Sequence, residues 1–127
     1  MADDKHARCG VRIEPDARLV VVHGQGLWSS EIAADCGLKV RGALREVQGQ
    51  SWKVLLDFTT LLPQRPEVQD ALKDLFRNVK AGNPGAIAVS ASNAVTMLQL
   101  KRLWAESGAG ECKFCPSLDV ARRTLSV

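Results

Sequence analysis

The stretch Trp52-Lys53-Val54-Leu55-Leu56-Asp57-Phe58 constrains the fold more than any other part of the chain. Side chains along a strand alternate between its two faces. Trp52, Val54, Leu56 and Phe58 therefore share one side, and Lys53, Leu55 and Asp57 share the other. The first side is wholly apolar and the second is mixed. Such a strand belongs in a sheet whose helices pack mainly on one face, with the other face partly wet. A doubly wound nucleotide-binding sheet wants apolar side chains on both faces, and this pattern disfavours it.

The flanking segments supply partners for that strand. Val11 to Glu14 and Leu19 to His23 read as two short strands, joined by Pro15-Asp16, which has good turn chemistry. A hairpin follows. Gly24-Gln25-Gly26 then breaks the second strand, and Ser29 or Ser30 caps a helix from Glu31 to Val47. Ile32, Cys36, Val40, Ala43 and Val47 form its apolar stripe, Leu38 falls opposite, and Gly49 ends the element. Pro66 opens a second helix, with Val68, Leu72, Leu75 and Val79 buried, and Gly82 and Pro84 stop it. Ala86 to Ala91 is a continuous apolar run suited to a central strand. Ser92 or Asn93 caps a third helix ending at Gly108, Cys112 to Cys115 form the last strand, and Ser117 caps a short helix through Leu125. The order is β-β-α-β-α-β-α-β-α. It predicts one α/β domain over residues 11–127, built on a mixed sheet, with residues 1–10 as a flexible N-terminal tail.

This order, with a glycine-bounded second strand and a strand-Asp-corner-helix unit, resembles the STAS domain of bacterial anti-sigma-factor antagonists. Arg12-Ile13-Glu14-Pro15-Asp16 and the following residues through Ala33 resemble the opening of its divergent branch, grouped with lipid-binding Sec14-like domains. The resemblance implies a STAS-like single domain and a non-enzymatic regulatory or scaffold role, binding a protein partner. In the antagonist family an Asp-Ser-Ser-Gly motif puts a phosphorylatable serine at the N-terminus of the second helix. A phosphate there is favoured by the helix dipole and changes a partner-binding surface. Aligning Asp57 with the family's strand aspartate lays Arg65-Pro66-Glu67-Val68 on that motif, and no serine is present. Either Pro66 merely starts the helix, or Glu67 supplies a permanent charge where the family places a removable one. Thr59 and Thr60 lie too early to replace the serine. The expected binding surface is the corner Thr59, Thr60, Arg65, Pro66 and Glu67, together with the second helix and the Gly24–Ser30 loop.

Composition narrows the partner. The 127 residues carry 17 basic and 14 acidic side chains, scattered to a net charge of +3, with no dense basic run. Nucleic acid is therefore not the expected partner. Aliphatic runs such as Leu19-Val20-Val21-Val22 fall far short of the roughly 20 residues that span a bilayer, so the chain is expected not to cross one. The first ten residues carry no apolar signal region and no lipidation pattern. A cytoplasmic protein is expected, with its four cysteines as reduced thiols.

The remaining constellations point to chemistry only weakly. Cys112 and Cys115 form a Cys-x-x-Cys motif, but within a strand residues three apart face opposite ways, and the helix begins only after Pro116. Zinc would need two more ligands, and no metal or other cofactor is expected. Gly24-Gln25-Gly26 lacks the third glycine and the lysine of nucleotide loops. His23 ends a strand and has only Asp57 as a partner in reach, so a satisfied polar residue is the simpler reading than a general base. Lys73, Arg77 and Lys80 share one flank of the second helix, as a solvated face or as a surface for an acidic partner or anionic lipid. On the third helix Met97, Leu98, Leu100 and Trp104 cover a broad arc, with Leu103 opposite and Lys101 snorkelling. Met97, Leu100 and Trp104 would line a pocket if the domain held an apolar ligand or lipid, the alternative to protein binding. A homodimer is compatible with both. A thiol-redox enzyme ranks third, because no nucleophile, base and orienting group assemble from these signals.

Overall fold

The structure, a computed structural model, describes residues 6–47 and 51–127. It contains β1 (Arg8–Glu14), β2 (Leu19–Gly26), α1 (Ser30–Glu46), β3 (Lys53–Leu61), α2 (Pro66–Ala81), β4 (Ala86–Ser90), α3 (Ala94–Ser107), β5 (Lys113–Cys115) and α4 (Leu118–Leu125). The predicted order holds throughout. Arg8–Gly10, expected in the tail, begin β1. Residues 1–5 of that tail, and Gly49 at the expected helix end, lie outside the described residues.

The strands lie side by side in the order β1-β2-β3-β4-β5. β1 pairs antiparallel with β2, and every later pair is parallel. The crossovers through α1, α2 and α3 all step the same way along the sheet. With a common right hand they must land on one face. They do: these three helices and the sheet residues beneath them form one core, with Val20, Val22, Val54, Leu56, Phe58, Ile87 and Val89 pointing into it. α4 follows the last strand and makes no crossover. It covers part of the opposite face, over Leu19, Val21, Leu55, Ala88 and Cys115. Arg122 of α4 reaches across that face to grip Glu14 of β1 at 3.2 and 2.8 Å, and Lys53 donates to the Leu125 carbonyl.

The helices start where their caps require. Ser29 accepts from the Ile32 N–H, Asn93 from the Val95 and Thr96 N–H groups, and Ser117 from the Val120 N–H. Pro66 opens α2, losing no hydrogen bond at a position whose N–H has no intrahelical acceptor.

Four expectations need correction. Gly24-Gln25-Gly26 does not break β2. The strand continues to Gly26, pairing Gln25 with Thr60 and Gly26 with Leu61 after a register shift beyond His23. Thr59 and Thr60 accordingly belong to β3, not to the corner, which spans residues 62–65. In α3 the buried stripe is Thr96, Leu100, Leu103, Trp104 and Ser107, while Leu98 is 68% exposed. Its spacing of four, three, one and three is an ordinary helical stripe, disguised because both its ends are polar. Finally, Cys9 and Cys36 are not separate thiols. The hairpin lays β1 beneath the α1 stripe, their Cα atoms lie 5.6 Å apart, and the sulfurs are bonded.

Candidate functional site

Two polar assemblies occupy the C-terminal half of the sheet. The first is a row on the face that α4 partly covers. Register places Gly10, His23, Asp57, Ser90 and Cys115 next to one another across all five strands. Asp57 is the hub. Its Oδ2 hydrogen-bonds to His23 Nδ1 at 3.1 Å, and its Oδ1 accepts from the Thr59 hydroxyl at 2.7 Å, the Thr59 N–H and the Ser90 hydroxyl. The other ring nitrogen of His23 meets Gln25 Oε1 at 3.1 Å, and Gln25 in turn donates to the His6 carbonyl.

Burial works to raise the Asp57 carboxyl, but the Thr59 hydroxyl, His23 and the Thr59 N–H together hold it below its ordinary value of 3.8. An aspartate pairs with a histidine here, yet a catalytic relay is not formed. Ser90 is fully buried and bonds the carboxylate, not the imidazole. The imidazole nitrogen distal to Asp57 is engaged by a glutamine. The row knits three strands, β2, β3 and β4, together rather than aiming a nucleophile at a cleft.

The sign of its pH response follows. A carboxyl whose folded pKa lies below its unfolded value adds stability above that unfolded value, and loses it as the pH falls through the folded one. Replacing Asp57 by alanine is expected to cost about 2 kcal/mol at neutral pH, since it removes the acceptor of the buried Ser90 hydroxyl and of two half-buried Thr59 donors. The cost should shrink progressively below a pH of 3.8. Urea unfolding of both proteins from neutral to acid pH measures it, and a penalty independent of pH would contradict the charged-hub assignment.

The second assembly is the β3–α2 corner. Its keystone is Gln64, 4% exposed. Its carbonyl oxygen Oε1 accepts from the Trp28 backbone N–H at 2.8 Å, and its amide donates to the carbonyls of Gly26 and Leu62. Its backbone forms a reciprocal pair with the Gln99 side chain: Gln64 N–H donates to Gln99 Oε1 at 2.7 Å, and Gln99 Nε2 donates back to the Gln64 carbonyl at 3.0 Å. Gln69 donates to that same carbonyl, and the Thr96 hydroxyl donates to the Leu61 carbonyl at 2.9 Å. One glutamine thus ties the β2–α1 loop, the corner and α3 into a rigid rim. Among the described residues no buried side-chain nitrogen or oxygen lacks a partner.

Apolar side chains stand exposed on this rim. Leu62 is 44% exposed, Val95 60% and Leu98 68%; among the described residues the other large exposed hydrophobic is Leu38, on α1. Leu62 follows Leu61, Val95 precedes Thr96 and Leu98 precedes Gln99, the residues whose bonds join the corner to α3.

The residues singled out from the sequence are distributed unevenly around this rim. Thr59 is spent on Asp57, and Thr60 is exposed on β3. Arg65 is the N-cap of α2 without a side-chain capping bond, and Pro66 and Glu67 are exposed in its first turn. The Lys73–Arg77–Lys80 flank turns toward α3 and is largely compensated: Lys73 lies 3.3 Å from Asp70 and 3.5 Å from Glu106, and Arg77 lies 2.7 Å from Asp74. Leu100 and Trp104 are core residues, and Met97 is half-buried against them. Trp104 does border a surface groove of about 520 Å³, also lined by Ile87, Cys112 and Phe114, but Met97 and Leu100 do not. Lys101 extends over the Phe114 ring, 5.8 Å from its centroid.

Cys112 and Cys115 face opposite sides of the sheet, one packed against each core. Burial, then the neighbouring Cys115, pushes the Cys112 thiol up to about 12, the reverse of an activated nucleophile. The sequence reading missed Gln64, Gln99, Leu62, Val95 and Leu98 as members of the rim. A signal existed for Leu62 and Val95, as large apolar residues off any expected stripe beside a corner, whereas Leu98 read as part of the apolar arc of the third helix. For the two glutamines there was none. No family model matches the chain, and the search of curated proteins gives no match.

Proposed function

We propose that this domain is a non-enzymatic regulatory or scaffold module that binds a protein partner at the C-terminal rim of its sheet. The observation that carries the proposal is that Leu62, Val95 and Leu98 are exposed beside the residues whose hydrogen bonds join the corner to α3. Exposed apolar side chains gathered on a preorganised surface bury area on docking at little entropic cost. The reading is consistent with the STAS resemblance, in which the same corner meets a partner. It differs in chemistry: with Arg65, Pro66 and Glu67 at the helix start, binding is constitutive, set by shape and the fixed charge of Glu67. A phosphate mapped by mass spectrometry to Thr60 would overturn that part.

The strand order supports a binding role as well. The parallel strands never reverse direction of succession, so the crevice that open α/β sheets use for ligands at a switch point is missing among the described residues. No helix there is long and apolar enough to cross a membrane. A cytoplasmic setting belongs to the same proposal, and it makes the Cys9–Cys36 bond a reducible one. The Sec14-like alternative rests on Trp104 alone beside its groove, and is the weaker reading.

A photo-crosslinking residue placed at Val95 or Leu98 tests the surface. Discrete adducts with one partner are expected in the source cell, absent when the probe sits at the equally exposed Leu38. Leu62→Glu should weaken the same contact about tenfold or more, the usual penalty at an interface anchor. Equal adduct yields from Val95 and Leu38 would remove the basis for the proposal.

A further inference from the structure

The sheet has two edges, and they are built differently. β5 is three residues long and is followed at once by Pro116, a blunted edge. β1 runs for seven residues, Arg8-Cys9-Gly10-Val11-Arg12-Ile13-Glu14, in unbroken register with β2. It contains no proline and no bulge. Its outer side has no strand partner among the described residues.

Grooves flank that outer side on both faces. One, of about 290 Å³, is lined by Arg8 to Arg12 and His23. The other, of about 380 Å³, lies between Val11, Arg12 and Ile13 and the α1 residues Lys39, Gly42, Ala43 and Glu46. A side chain at Gly42 or at Gly10 would meet nothing within 4 Å, so both positions open onto free space. Val11 and Ile13 are only half-buried there.

We propose that β1 is a homodimer interface, in which a second copy adds its own β1 antiparallel across a twofold axis at Val11, making one continuous sheet. The sequence of the strand matches itself under that operation. Val11 meets Val11, Cys9 meets Ile13, Gly10 meets Arg12 and Arg8 meets Glu14, each pair on one face because positions symmetric about Val11 share parity. Gly10 leaves room for the long Arg12 side chain of the second copy. Arg8 and Glu14 have opposite charges and recur twice by symmetry.

The helix layer repeats the match. Lys39 sits over Cys9, donating to its carbonyl at 3.2 Å, and Glu46 borders the groove at the Val11–Ile13 end. The axis that brings Cys9 to Ile13 therefore brings Lys39 toward Glu46 of the second copy. Two charge pairs on two separate elements agree with one symmetry operation. Glu14 already receives Arg12 and Arg122, and Lys39 lies 2.9 Å from Asp35 on its own helix, so Glu46 is the group whose reversal reads the interface most directly. The interface leaves the corner of each copy uncovered, so it is independent of the proposed partner site.

Sedimentation equilibrium from low micromolar to millimolar protein decides the matter. The native chain is expected to associate to twice its 13.8 kDa. Glu46→Lys sets like charges opposite each other twice per dimer and should raise the dimer Kd about tenfold. The double variant Lys39→Glu/Glu46→Lys should return it close to the native value. Both positions are exposed, and thermal melts should confirm that the variants remain folded. A chain that stays monomeric at millimolar concentration, or a dimer whose Kd is unchanged by Glu46→Lys, would overturn the proposal.

Discussion

Gly24→Ala should destabilise the domain by about 3 kcal/mol, the upper end of what overpacking a core costs, and lower its Tm by on the order of 10 °C. The reason is spatial, not conformational. A methyl group at Gly24 would lie 2.7 Å from Cζ2 of Trp28 and 2.8 and 2.9 Å from two ring carbons of Phe58. Both rings are fully buried, in a T-shaped contact with centroids 6.0 Å apart. Neither can retreat cheaply. The Trp28 indole N–H donates to the carbonyls of Arg8 and Gln25, and its backbone N–H is held by Gln64. Displacing Trp28 would therefore disturb β1 and the corner together. Gly37→Ala is the control. Nothing lies within 4 Å of a methyl group there. On helix propensity that change should stabilise by about 0.5–1 kcal/mol. Thermal melts of the two variants should move in opposite directions, and a Gly24→Ala protein melting like the native one would show that the rings repack freely.

That glycine also shows where sequence reasoning stopped. Glycine weakens strands, so Gly24-Gln25-Gly26 read as a terminator. Pairing with β3 and the need for space under two rings outweigh the local preference, and neither is visible in a single segment. The faces of β3 were legible because a period of two is unambiguous when one side is wholly apolar: Val54, Leu56 and Phe58 enter one core and Leu55 the other. α2 was legible for the same reason, with Val68, Leu72, Leu75 and Val79 all buried. α3 was not. Thr96 is buried because its hydroxyl reaches the Leu61 carbonyl, a partner 35 residues away, and that displaces the whole stripe from the apparent one. The corner was legible by position as a strand-to-helix turn, but its bonding comes from Gln64, whose partners come from three separate segments. A polar residue that satisfies long-range partners looks in sequence like any loop glutamine.

The cross-link between Cys9 and Cys36 should be the other large contributor. It joins residues 27 apart, and closing a loop of that length in the unfolded chain corresponds to about 3.5 kcal/mol on the chain-entropy account. Cys9→Ala/Cys36→Ala should therefore lower the Tm by on the order of 10 °C, as should full reduction. The remaining pair cannot substitute. Cys112 and Cys115 face opposite sides of the sheet, and the Cys112 thiol is held up at about 12 by burial first and Cys115 second. Counting thiols separates the outcomes: unfolding in alkylating reagent without reductant should label two of the four cysteines, Cys112 and Cys115. Four labelled cysteines, with a melt indifferent to reductant, would mean that Cys9 and Cys36 are merely neighbours. The consequence reaches beyond stability. Cys36 is fully buried in the α1 stripe, so the bond fastens the N-terminal end of β1 to the helix that shares its outer groove. Cutting it should leave the corner's hydrogen bonds intact while loosening the edge strand, so hydrogen exchange should quicken at Arg8 to Val11 before it quickens at Gln64.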